Sequence, residues 1–253
     1  MSTTSVRAAA SAPQKQKKIQ QKQIGPRWLS NILAKYIMAF TGIVFSVFVL
    51  VHMFGNLKVY LGPEHFNDYA LWLRQLLEPL LPYEGFLWLF RIFLLLCLIG
   101  HVYCAGIISA RAKARRGAFA RKGLKGFSSF TARTMPVTGL VLLFFIIFHI
   151  LDLTAGVAVA PENFQHGSEA GSFAYQNLVA SFSRPAVATF YLLAMVTLFL
   201  HLAHGLYAAV NDFGISMGQK VRSTVVLLSG LFALIVMLGN ITIPLAVLTG
   251  YVN

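Results

Sequence analysis

Five times the chain enters an apolar run long enough to cross a bilayer, at roughly residues 34–57, 85–110, 134–157, 186–211 and 223–248. A membrane helix needs about 20 such residues, so the pattern predicts an all-α integral membrane bundle of five transmembrane helices. Between the first two runs the pattern changes. From Phe66 to Leu77 apolar residues recur at helical spacing with polar and charged residues between them, which predicts an amphipathic helix lying in the interface. Tyr69, Trp72 and Tyr83 suit an aromatic belt, and Pro79 and Pro82 end the segment. The connection from Gly156 to Arg184 is long and polar, a length usually reserved for function or disorder. No segment repeats at a fixed period. The domain reading is a basic arm over 1–26, expected to be disordered beside anionic headgroups, and one membrane domain over 27–253. The arm lacks the apolar core of a cleavable signal peptide.

Composition agrees with the pattern. Of 253 residues, 57% are hydrophobic and only 11% charged, against about a quarter charged in soluble domains. The net charge of +13 could suggest nucleic acid, but its distribution points to membrane topology instead. Seventeen of the 21 Lys and Arg residues fall in the arm through Lys35, between Arg111 and Arg133, or at Lys220 and Arg222. All three groups share one side if five helices alternate. The positive-inside rule then predicts a cytoplasmic N-terminus and an outer C-terminus. Seven of the eight acidic residues fall on the outer side, and only Asp212 falls inside.

Against this apolar background, histidines stand out. His52, His101, His149 and His204 each lie deep in a different run, where an ionisable group is costly and marks function. His52 follows Tyr36 by sixteen residues and His101 follows Gly85 by sixteen, a rise of about 24 Å in each case at 1.5 Å per residue. The two helices run in opposite directions. His52 and His149 therefore share an outer level, and His101 and His204 an inner one. Two neutral imidazoles facing each other are what a b-type haem needs axially, so the arrangement predicts two haems. Gly100, Gly205 and Gly55 lie beside or one turn from these histidines, where a flat macrocycle would approach the backbone. His201, one turn before His204, faces the core as well. Either can be the inner ligand; the glycine beside His204 favours that residue, leaving His201 a supporting hydrogen bond.

Two other groups carry candidate chemistry. Cys97 and Cys104 flank His101 on nearly one helix face, about 10.5 Å apart along a regular helix, too far for a disulfide. A Rieske-type [2Fe-2S] centre at Cys97, Cys104 and His101 is the alternative to the inner haem, and it needs a broken helix or other ligands. A quinone site needs hydrogen-bonding groups in an apolar pocket. The outer candidates are Glu64, Asp68, Arg91 and Asp152; the inner ones are Trp28, Ser30, Lys35 and Asp212. The outer side is preferred, because two stacked haems serve a purpose when electrons cross the membrane.

The segments KYIMAFTGIVFSVFVLVHMFGNLKVY, GPEHFNDYALWLR, IGHVYCA, FHILDL and HLAHGLYAAVNDFG together resemble the membrane subunit of succinate:quinone oxidoreductase and fumarate reductase, in its single-chain, five-helix, di-haem cytochrome b form from bacteria. The likeness extends from Lys35 to Gly214. It implies a multi-pass subunit of the bacterial cytoplasmic membrane, belonging to the succinate dehydrogenase (respiratory complex II) enzyme. Electrons would pass from a flavoprotein subunit carrying FAD, through an iron–sulfur subunit, to this chain and on to (mena)quinone. It also implies His52 with His149 for the outer haem and His101 with His204 for the inner. The two cysteines are outside the family pattern. Partners expected on this reading are the two hydrophilic subunits, membrane lipid and quinone, with a homo-oligomer of the whole complex possible and no nucleic acid. Competing readings are a haem-free structural anchor and a small transporter with a histidine proton relay; the latter lacks an inverted repeat.

Overall fold

The computed structural model describes residues 24–116, 127–215 and 218–253, with the side chains of 116 and 127–132 left aside. Residues 1–23 of the basic arm predicted over 1–26, and residues 117–126 of the basic loop after Arg111, lie outside the described residues. Five long helices dominate: α1 (Asn31–Asn56), α3 (Gly85–Arg116), α4 (Phe127–Ile150), α6 (Pro185–Asp212) and α7 (Gln219–Leu248), with the short helices α2 (Pro63–Arg74) and α5 (Ala174–Phe182) between them. All five long helices are long and apolar enough to cross a membrane. Among the described residues there is no strand, only an isolated bridge between Ser168 and Gly171.

The packing is that of a membrane bundle. Leu96, Phe144, Leu193 and Leu227 are each more than 60% exposed, an outer surface suited to lipid rather than water. Small residues fill the helix contacts: Ala34, Ala188 and Ala233 are wholly buried, letting backbones approach closely. The helices α1, α3, α4 and α6 carry the histidines, and α7 packs along α6 with Ala233 and Val236 buried at the contact.

One end of the bundle is basic. Here Arg111 of α3 donates to the carbonyls of Ile24 and Leu29 and to Asn31 Oδ1, each at 2.8 Å. Lys35 of α1 meets Asp212 at the end of α6 at 2.7 Å. The opposite end is capped by α2 and α5. The amphipathic helix expected over 66–77 is α2, which starts at Pro63 and stops at Arg74, before the prolines. Arg74 secures the cap through Glu84 and Ser172. The loop from Gly156 to Arg184 is more ordered than its polarity suggested. Tyr175, Leu178 and Phe182 sit at one-turn spacing on α5 and are all buried.

Candidate functional site

The histidines form two pairs. Toward the α5 end, His52 of α1 and His149 of α4 face each other with ring centroids 5.8 Å apart and planes nearly perpendicular. Toward the basic end, His101 of α3 faces His201 of α6 at 6.5 Å. Of the two histidines that sequence left open for this level, His201 is the one whose ring stands against His101. His204 lies one turn further along, beside Tyr207 at 6.1 Å.

Hydroxyl groups hold three of the four rings by Nδ1. His101 Nδ1 is 2.9 Å from Thr41 Oγ1, and that hydroxyl donates to the Ile37 carbonyl at 2.7 Å. His201 Nδ1 is 3.1 Å from Thr138 Oγ1, which donates to the carbonyls of Thr134 and Met135. His149 Nδ1 is 3.3 Å from the Tyr191 hydroxyl, which donates to Asp152 at 2.9 Å. In each case the hydroxyl hydrogen has a carbonyl or carboxylate to bond, which leaves the oxygen available to accept from Nδ1–H. A ring that donates from Nδ1 to such an oxygen keeps its Nε2 lone pair for a metal.

The same geometry tests the cofactor. Imidazole nitrogen binds transition metals at about 2 Å, so two rings across one metal stand about 6 Å apart, close to both observed separations. Among the described residues no three or more His, Cys, Asp or Glu side chains converge on one point. The chain thus offers two ligands per level, a set that fits an ion arriving with its own equatorial donors, as haem iron does. The levels are well separated. Thr41, at the His101 level, and His52 are eleven residues apart on α1, as are Thr138 and His149 on α4, a rise of about 16 Å.

The glycines beside the rings are not the expected ones. A Cβ on Gly42 would touch His101 at 3.5 Å, and one on Gly139 would touch His201 at 3.4 Å. Gly55 instead receives the Tyr69 ring, Gly100 meets Ile37 and Gly205 meets Met135. Gly42 and Gly139 each follow the threonine that anchors the neighbouring ring. Their signal was present in the sequence: Thr-Gly, five residues, Phe, three residues, His occurs at 41–52 and again at 138–149. In both copies the phenylalanine, Phe48 or Phe145, stacks on its histidine.

Cys97 and Cys104 are both buried and unbridged, and α3 runs unbroken through them, without the distortion a cluster would require. Cys104 packs with Leu29, Ala34 and Ile107 where α1 meets α3. The quinone candidates are held in separate environments. Glu64 and Asp68 are exposed on α2. Arg91 pairs with Glu84 at 3.2 Å and lies over the Trp88 ring. Trp28 is exposed, Ser30 caps α1 by accepting from the Leu33 amide, and Lys35 and Asp212 form their own ion pair. The cavity bounded by Arg74, Thr154, Gln165 and Asn177 measures about 50 Å³, room for water rather than a quinone ring.

Asp152 is the one candidate sealed from solvent, with no exposed surface. It sits on a π-helical turn, Leu151–Ala155, that follows α4 directly and ends at Gly156 in a left-handed conformation. Arg184 binds its Oδ1 at 2.6 Å, while Ser181 and Tyr191 bind its Oδ2 at 2.5 and 2.9 Å. These three donors hold the carboxylate inside the protein, away from the surface where the other quinone candidates lie.

Comparison with known proteins adds one match. No curated protein and no solved structure matches the chain. The succinate dehydrogenase/fumarate reductase transmembrane subunit family matches residues 122–239, a little under half of the sequence. That stretch contains α4, α5, α6 and most of α7 with His149, His201 and His204, and it is similar to the succinate dehydrogenase/fumarate reductase transmembrane subunits.

Proposed function

We propose that the chain is the membrane anchor and electron-transfer subunit of a succinate:quinone oxidoreductase, binding two b-type haems. The observation that carries this reading is the pair of opposed histidine couples, three of whose rings have a hydroxyl at Nδ1, an arrangement that suits the tautomer leaving Nε2 for iron. His52 and His149 hold the outer haem, and His101 and His201 the inner. Bound there, haem supplies one-electron transfer along the bundle between the hydrophilic subunits and quinone. The protein's own part is to keep each imidazole neutral and oriented, exclude water with Phe48 and Phe145, and hold the levels apart. In this proposal the basic end faces the cytoplasm, the C-terminus lies outside, and a flavoprotein and an iron–sulfur subunit dock on the basic face. Glu64, Asp68 and Arg91 remain the candidates around an outer quinone; Asp152 does not.

The test is a reduced-minus-oxidised visible spectrum of the purified chain in its complex. The expected result is a haem α-band corresponding to two haems per chain. A flat spectrum with intact assembly would favour a haem-free anchor. Docking has its own test. Reversing charge at Arg115 and Arg116, in the largest basic group on the proposed electron-entry side, is expected to release the hydrophilic subunits during purification. Their full retention would place the docking surface elsewhere.

A further inference from the structure

Three ring anchors look alike until their second partners are compared. Behind Thr41 and Thr138 stand neutral backbone carbonyls of the same helix. Behind Tyr191 stands Asp152, fully buried and fixed by Ser181 and Arg184. The chain Arg184–Asp152–Tyr191–His149 joins α6, the π-helical turn and α4. Arg184 also donates to the Val159 carbonyl at 2.6 Å and the Ser181 carbonyl at 3.2 Å, locking the loop above it.

We infer that Tyr191 is a positioning residue for His149: backed by the Asp152 carboxylate, its hydroxyl favours the Nδ1–H tautomer and makes His149 a stronger donor than it would be without that carboxylate. The inference rests on the haem reading above. A hydroxyl whose own hydrogen is drawn toward a carboxylate is the better acceptor, because hydrogen bonds in a chain polarise one another. A better acceptor at Nδ1–H raises the basicity of Nε2. A more basic axial ligand favours oxidised over reduced iron, so the contact lowers the reduction potential of the outer centre. Among the described residues the inner anchors Thr41 and Thr138 donate to backbone carbonyls rather than to a carboxylate, and the inner centre is about 16 Å away along the helix.

The experiment is a redox titration of the visible band, with low-spin electron paramagnetic resonance, on the whole complex. The outer component is identified as the one missing from His52→Ala. In Tyr191→Phe both haems stay bound and the outer midpoint rises. The expected change is about tenfold in the oxidised-to-reduced equilibrium, which for one electron is about 59 mV. The outer resonance shifts and the inner one does not. Thr138→Val is the converse control and moves only the inner component. Should Tyr191→Phe fail to assemble, Ser181→Ala decides: it takes one donor from Asp152, leaves the carboxylate a stronger acceptor for Tyr191, and lowers the same midpoint. A haem-loaded Tyr191→Phe protein with both midpoints and both resonances unchanged would overturn the inference, as would an unmoved outer midpoint in Ser181→Ala. Wild-type protein lacking haem altogether would instead overturn the reading on which it rests.

Discussion

Alanine at His149 is expected to strip one haem from the protein and leave the other spectroscopically intact. The same holds for His52→Ala. His101→Ala and His201→Ala remove the other haem, and His204→Ala removes neither. The magnitude follows from ligand count and distance. Each level offers two imidazoles, so losing one leaves the iron half-held, and the content falls from about two haems per chain to about one. The levels are about 16 Å apart along the helices, beyond the 7–10 Å within which substitutions usually couple. Haem content of the purified variants, read with their reduced spectra, checks this. Equal loss of both haems from all four variants would rule out two independent levels. Loss of haem from His204→Ala with retention in His201→Ala would restore the ligand that the glycine rule favoured.

The contrast between those two histidines shows what could be read from sequence. The five spans were legible because a bilayer demands apolar runs of fixed length, and the observed helices overlap every expected one. Their ends were less so. The helix α3 continues to Arg116, since Ala, Arg and Lys are good helix formers even where hydropathy has fallen. The depths of the histidines were legible too, because rise per residue is constant. The facing of His201 was not, because His201 and His204 are one turn apart and both point inward. Gly205, beside His204, sits against Met135, whereas Gly139 on the opposite helix lies against the His201 ring. Comparing α1 with α4 would have found it. Two copies of Thr-Gly with the same spacing to Phe and His pair the helices, so that α1 with α3 corresponds to α4 with α6, and His201 then corresponds to His101. Two copies separated by α2, α3 and their loops make no fixed-period signal. The π-helical turn left no trace in hydropathy, and with it went the orientation of Asp152.

Methionine at Arg184 is expected to destabilise the folded subunit more than any other single change at the α5 end. Asp152 has no exposed surface, whereas the Arg184 side chain is 33% exposed. Removing the guanidinium leaves a carboxylate buried with only two hydroxyl donors. Breaking a buried ion pair from one side costs about 3–5 kcal/mol, and the partial exposure of Arg184 places this pair toward about 3 kcal/mol. For a chain of this size that lowers the thermal midpoint by about 6–12 °C. The loop carbonyls of Val159 and Ser181 lose their donor in the same step, so the damage extends to the cap formed by α5. The double variant Arg184→Met with Asp152→Asn separates charge from packing. A neutral amide still fills the site and still bonds Ser181 and Tyr191, so the double variant should recover a large part of the loss. Thermal unfolding of the detergent-solubilised complex, followed for wild type, both single variants and the double, measures the coupling directly. A double variant as unstable as Arg184→Met alone would mean that Arg184 acts through the loop carbonyls. Recovery toward wild type would identify the uncompensated Asp152 charge as the cause, and would explain why this one acidic residue is built into the apolar depth of the bundle only with a cation and two hydroxyls around it.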